Sequence, residues 1–247
     1  MRVDGVRFSV ARHAAWSPGV STPEAWRAWA QAPFKIEGTA QPALAKMPAM
    51  LRRRAGFLGK MALEVAYDCL DGRSGVPTVF CSRHGEAARA IELLTELTDE
   101  MPLSPTGFGL AVHNASAGLF SIARADQANH VALAAGACTV EHAVIEACGM
   151  LADGVPMVLL VAYDCPLPEV LSAFEDCAEQ PHAWAWLMVP AGAGALALHW
   201  SADDAPGFAP DPTSMPGGLE VLRFYMGGAP RLERRDGRLA WRWTRDD

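Results

Sequence analysis

Helix-like and strand-like stretches alternate along most of this 247-residue chain, and that order predicts an α/β fold: a parallel or mixed sheet covered by helices. Two further observations support it. The later strand-like stretches are short apolar runs bounded by Gly, Ser or Pro, the pattern of strands buried on both faces. The composition, 51% hydrophobic against 20% charged with eight Trp and nine Phe, is that of a packed globule and not of a disordered chain. One domain spanning 1–247 is expected, with alternating elements over 1–168 and a β-rich part over 169–247.

Residues Val3 to Val10 alternate apolar and polar side chains as a half-buried strand does, and Ser17-Pro18-Gly19 then turns the chain. Thr22-Pro23-Glu24 starts a short helix with Pro at its first position and Trp26 and Trp29 on one face. Gly38 to Pro48 is Pro- and Ala-rich and reads as a surface loop. A long amphipathic helix is expected over Met50 to Leu70, basic at its start through Arg52, Arg53 and Arg54 and ended by Asp71-Gly72. Val76 to Cys81 reads as a buried strand, and Glu86 to Leu97 as a helix with Ile91, Leu94 and Leu97 on one stripe. The alternation continues with helix Ala111 to Ala123, strand Val131 to Ala135, helix Thr139 to Ala152 and strand Pro156 to Tyr163. Beyond Pro168, Ala183 to Val189 and Ala195 to Trp200 read as strands paired around Gly192 and Gly194. Ser201 to Pro216 is a polar, Pro-rich loop, and Arg231 to Arg235 with Arg238 to Trp243 form a hairpin around Asp236-Gly237, a dipeptide suited to a type I′ turn.

The net charge of −7 argues against non-specific nucleic-acid binding, which needs a basic surface. No apolar run approaches the roughly 20 residues that span a bilayer, and the charged opening is unlike a secretory signal, so a cytoplasmic protein is expected. Six cysteines at irregular separations, without a CxxC pair, signal neither a zinc site nor a redox motif. Ser82 with His84, or Ser121 with His113, would suit a hydrolase or acyltransferase, yet neither serine lies in Gly-x-Ser-x-Gly; Ser82 and His84 read equally well as a helix cap and turn. Glu141 and His142 are adjacent on a helix and do not share a face, which makes them weak metal ligands. No metal or cofactor is expected.

The segments Leu103-Ser104-Pro105-Thr106, Val112-His113-Asn114-Ala115-Ser116-Ala117-Gly118 and Ser121-Ile122 resemble the stretch of β-ketoacyl synthases that precedes the nucleophile elbow, Asn114 followed by Ala117-Gly118 being the most diagnostic part. Trp16-Ser17-Pro18-Gly19 and Trp26 are similar to the opening loop and helix of that family. Arg52-Arg53-Arg54 leading to Lys60-Met61-Ala62 is similar to its Arg-containing helix, and Val79 to Gly85 and Val158 to Asp164 to two of its strands. The resemblance covers roughly residues 1–168 and implies a thiolase-like fold, the N-terminal half of a ketosynthase, with 169–247 as a β-rich C-terminal appendage. The chain is also similar to the short ketosynthase-like type of aryl polyene and xanthomonadin clusters, through Leu110-Ala111-Val112-His113-Asn114-Ala115.

Claisen condensation needs a thiolate at a helix N-terminus, where backbone N–H groups stabilise negative charge. In the synthase pattern that cysteine follows the glycine matching Gly118 by nineteen residues, and an ungapped count reaches Ala137, with Ala147 and Gly154 again in step. Cys138, one position on, is expected to point about 100° away if the helix has begun. It stays open as an acyl acceptor beside the reading of a small buried thiol. The two histidines that a synthase draws from its C-terminal half have no counterpart motif; His182 and His199 read as strand positions.

The resemblance therefore implies a non-catalytic, chain-length-factor-like subunit that pairs as a heterodimer with a full-length ketosynthase, acting on acyl groups delivered by an acyl carrier protein. His113, Asn114, Val131, Leu133 and Ala137 are its expected interface or acyl-pocket positions, with Val131 to Ala137 as the strand paired across the two-fold axis. Arg52, Arg53 and Arg54, or the second basic cluster Arg231, Arg234, Arg235 and Arg238, would steer the acidic carrier. An acyl- or carrier-binding homodimer, and an enzyme using Ser82 or Cys138, stay open as alternatives.

Overall fold

A computed structural model of the chain describes residues 5–202 and 211–246; the expected strand start at Val3 and the middle of the expected loop Ser201 to Pro216 lie outside them. The first strand, β1 (Gly5–Trp16), runs well beyond Val10 before the turn at Ser17-Pro18-Gly19. Helix α1 (Pro23–Gln31) begins as its residues dictate, with Thr22 Oγ1 accepting from Ala25 N–H at 3.2 Å and Pro23 where no N–H is needed.

The expected long helix is broken. Pro48 opens a single turn, α2 (Ala49–Arg52), and Arg53 to Gly56 separates it from α3 (Phe57–Leu70), which ends on left-handed Asp71 and Gly72. There follow β2 (Thr78–Cys81), α4 (Ala87–Thr98), α5 (Pro105–Gly109), α6 (Ala115–Arg124), β3 (His130–Leu133), α7 (Thr139–Ala152) and β4 (Val158–Asp164). The remainder supplies β5 (His182–Pro190), β6 (Leu196–Ala202), α8 (Gly217–Gly227), β7 (Arg231–Asp236) and β8 (Leu239–Arg245).

All eight strands form one sheet in the order β3-β2-β4-β5-β1-β6-β8-β7. β2 pairs in parallel with β3 and β4, whereas every other pairing is antiparallel, so the sheet is mixed. The β-rich C-terminal part is built into this sheet, because β5 pairs with both β4 and β1. β5 and β6 do not pair with each other around Gly192 and Gly194, as the sequence suggested; β1 lies between them. The β7–β8 turn also differs: Gly237 has φ +57°, and the following Arg238 is not in the left-handed region, which is the type II′ arrangement rather than type I′.

Period-two alternation sends side chains to two cores. From β5, Trp184, Trp186 and Met188 pack beneath α1, α7 and α8 with Phe8 and Trp243, while Ala183, Ala185 and Leu187 face α3 and α6 with Phe80 and Tyr163. The Trp184 indole N–H donates to Gly218 O at 3.0 Å and so ties the start of α8 to the sheet. Among the described residues no helix is long and apolar enough to cross a membrane.

Candidate functional site

The turn after β2, the N-termini of α7 and α8 and the β7–β8 hairpin converge on one cleft of about 300 Å³, lined by Ala137, Arg83, Cys177, Gly217 and Arg234 among others. Its centre is the turn before α7. Gly136, at φ +59°, bends the chain, and Thr139 braces the bend by donating its hydroxyl to Gly136 O (2.7 Å) and accepting from Ala135 N–H (2.9 Å). Ala137, whose side chain is only a methyl group, lines the cleft. Cys138 is fully buried in the core at the head of α7, next to Asp236 and Arg234 of the cleft wall, and burial with the neighbouring Glu141 carboxylate raises its thiol pKa far above the ordinary range. A thiol in that state supplies no thiolate near neutral pH.

Arg234 closes the back of the turn. It comes from β7 with its side chain only 8% exposed, and its guanidinium donates to Glu141 Oε1, to Glu220 Oε2 at 2.8 Å and to Ala137 O at 2.9 Å. Glu141 and Glu220 lie in the first turns of α7 and α8, so one cation bridges an acid from each helix start. The Trp243 indole N–H adds a 3.2 Å bond to Glu141 Oε1. The packing is tight enough that a Cβ on Gly217 would stand 1.9 Å from Arg234 Nη2. Arg234 is thus no member of an open basic cluster, and Glu141 is committed to an ion pair rather than to a metal. His142 accompanies them with Nδ1 2.9 Å from Cys138 O and its ring edge-on to Trp241.

The second group of candidates forms a braced turn. Ser82 donates its hydroxyl to Asp164 Oδ1 (2.7 Å), the same oxygen accepts from Arg83 N–H (2.9 Å), and Ser82 Oγ accepts from Gly85 N–H (2.8 Å). Burial raises the Asp164 pKa and lowers that of His182, its cross-strand neighbour. His84 places Nε2 on Glu179 Oε1 at 2.7 Å, and His113 places Nε2 on Ser82 O at 2.9 Å. Ser121 donates to Asp126 O. Each serine hydroxyl is therefore spent on an oxygen acceptor, and neither is bonded to the histidine considered for it. Asp176, Cys177 and Glu179 could together hold a metal ion by their spacing, but the Arg83 guanidinium already bonds all three.

A third feature is apolar surface. Helix α4 has an amphipathic sequence yet buries none of its residues, and Leu94, Leu97, Met101, Phe108 and Ile122 of α4 to α6 each stand more than half exposed. Val112 and Asn114 are exposed beside them. β3, carrying Val131 and Leu133, is an edge strand paired only with β2, and both side chains are half-buried. On a nearby face, Arg53 and Arg54 line a cleft with Arg89, Glu92 and Glu96, whereas Arg52 turns inward to the carbonyls of Ala43 and Leu44, 3.3 Å away.

The family pattern described as β-ketoacyl synthase, N-terminal domain, matches residues 26–244. The chain belongs to that family. The match extends the ketosynthase likeness well past residue 168, into the strands that flank β1 and the hairpin that carries Arg234. No curated protein matches the sequence. Among solved structures, a complex of a ketosynthase with its chain length factor from Xenorhabdus doucetiae contains a similar chain, with TM-score 0.83, 24% identity, and 97% of this chain and 99% of that chain covered. The ishigamide ketosynthase/chain length factor is similar at TM-score 0.60 and 15% identity, over 81% of this chain and 68% of that one. A type II polyketide acyl-carrier protein in complex with its hexaketide-bound ketosynthase is similar at TM-score 0.61 and 11% identity, over 75% and 63%. At these identities the likeness is one of fold, and the fold is ketosynthase-like.

Glu220 and Arg83 are the site residues that sequence reading missed, and for Arg234 the sequence suggests only a place in a solvent-facing basic cluster. The one available signal was an acidic residue in the first turn of two successive helices, and nothing local pairs either with an arginine of the terminal hairpin.

Proposed function

We propose that this member of the ketosynthase family is a non-catalytic, chain-length-factor-like subunit that pairs with a full-length ketosynthase in the elongation of an aryl polyene or fatty-acid-type chain. The observation that carries this is the head of α7: a methyl group at Ala137, a buried thiol at Cys138, and Arg234 with its two carboxylates filling the space behind them. A condensing enzyme stabilises an attacking thiolate at this helix end. Here the end is already occupied by the chain's own carboxylates, held by Arg234.

The apolar face of α4 to α6 and the free edge of β3 support the pairing. Apolar area of this kind is covered in stable subunit interfaces, and a short parallel edge strand extends naturally onto a matching one. In this reading Val131 and Leu133 meet the partner, and Phe108, Val112, His113 and Asn114 border the tunnel that receives its growing chain. Arg53 and Arg54, with Arg89 beside them, attract the acidic carrier, and the complex works in the cytoplasm without a cofactor. Co-expression with the full-length ketosynthase followed by size-exclusion chromatography tests the pairing. Co-elution, lost on Ile122→Glu, is the expected result; two chains that always elute separately would reject it.

A further inference from the structure

We propose that the turn Ser82–Gly85 is a relay through which a partner seated on the α5–α6 face sets the wall of the cleft at Ala137, with His113 as its positioning residue. This rests on the pairing reading above and adds how pairing reaches the degenerate site.

His113 sits between α5 and α6, next to exposed Val112 and Asn114 and five residues from exposed Phe108. Its imidazole grips the turn twice. Nε2 bonds Ser82 O at 2.9 Å, and the ring presses on Gly85, where a Cβ would fall 2.7 Å from His113 Cδ2. Gly85 is also at φ +55°, so only glycine satisfies both the contact and the backbone.

From the other side the turn is pinned to β4 by Asp164, through Ser82 Oγ and Arg83 N–H. Of the turn's side chains, Arg83 points at the cleft. Arg83 Nη2 bonds Asp176 Oδ1 at 2.5 Å and Nη1 bonds Cys177 Sγ at 2.9 Å, while His84 takes Glu179. Arg83, Asp176 and Cys177 then line the cleft with Ala137 and Arg234. The segment between Glu175 and Pro181 has no helix or strand of its own; beside these bonds it is held by Ala178 N–H on Ser214 O (2.8 Å), Leu167 N–H on Glu179 Oε2 (2.9 Å) and Ile36 N–H on Gln180 Oε1 (2.8 Å), so the turn's bonds fix its cleft-facing start at Asp176 and Cys177. One imidazole therefore joins a surface awaiting cover to the turn whose Arg83 holds Asp176 and Cys177 in the cleft wall. Moving it changes the free energy of both ends, which is what coupling between sites requires.

Hydrogen exchange followed by mass spectrometry tests this in two arms. In the isolated chain, His113→Ala should raise exchange across residues 175–180 by about tenfold, and His113→Gln, which keeps a donor for Ser82 O, should restore most of the protection. In the co-expressed complex with the full-length ketosynthase, partner binding should slow exchange at 175–180 in the wild type and leave it unchanged in His113→Ala. Unaltered exchange at 175–180 in isolated His113→Ala would overturn the relay, as would equal slowing in both complexes. If no complex forms, the pairing reading fails on its own, and the isolated-chain arm still decides the relay.

Discussion

At the head of α7 one cation and two carboxylates are bonded together inside a single chain, whereas on the face of α4 to α6 large apolar side chains stand more than half exposed. The first region is polar, buried and tied to its own chain, and the second is apolar and open. In an ordinary enzyme of this architecture the opposite is expected, with an electrostatically unsatisfied catalytic centre and a quiet surface. The contrast is what the proposed non-catalytic, pairing role predicts for a chain of ketosynthase-like architecture.

The largest effect should come from breaking the inner region. Arg234→Ala leaves Glu141, which is fully buried, without its cation, and should cost about 3–5 kcal/mol in denaturant melts. Adding Glu141→Gln should recover part of that loss, since no bare charge then remains. If the single variant melts like the wild type, the head of α7 is not held by this ion pair.

The outer region should respond in the reverse way. Ile122→Glu and Phe108→Glu alter exposed side chains, so stability should change by no more than about 0.5 kcal/mol, yet co-elution with a ketosynthase should be lost. Retained co-elution would move the interface elsewhere. A smaller effect is expected from Arg53→Glu with Arg54→Glu: about tenfold weaker carrier binding in titrations at low salt, with the difference vanishing at high salt.

The contrast was only partly legible in the sequence. Alternating helices and strands disclosed the α/β class, Thr22-Pro23 and Asp71-Gly72 marked real helix ends, and Asn114 to Gly118 carried the family. All of these are local signals. The places of β5 and β6 on either side of β1 were not legible, because pairing partners far apart in the chain leave no periodicity to read. The Arg234–Glu141 pair spans 93 residues and was hidden for the same reason: four nearby arginines look alike until the fold buries one of them. The break at Arg53 to Gly56 was missed because apolar spacing continues across it, although Gly56 is a weak helix former.

The smallest effect concerns pH. Burial lowers the His182 pKa below 6.5, so the folded chain keeps the ring neutral while the unfolded chain takes up a proton first. Stability should therefore be unaffected by this group above 6.5 and fall as pH drops below it, with His13 acting in the same direction. Asp164, whose pKa burial raises, acts in the opposite sense and favours the folded state as the solution acidifies. His182→Gln isolates the imidazole: its thermal melts should lose less stability than the wild type on acidification, and parallel curves would show that His182 is not the group responsible.

Intact-mass spectrometry of the reconstituted complex, after incubation with acyl-carrier thioester, addresses the central claim most directly. The account predicts an acyl mass on the ketosynthase chain and none on this one, with Cys138 still a free thiol. An acyl adduct at Cys138 of this chain would contradict it.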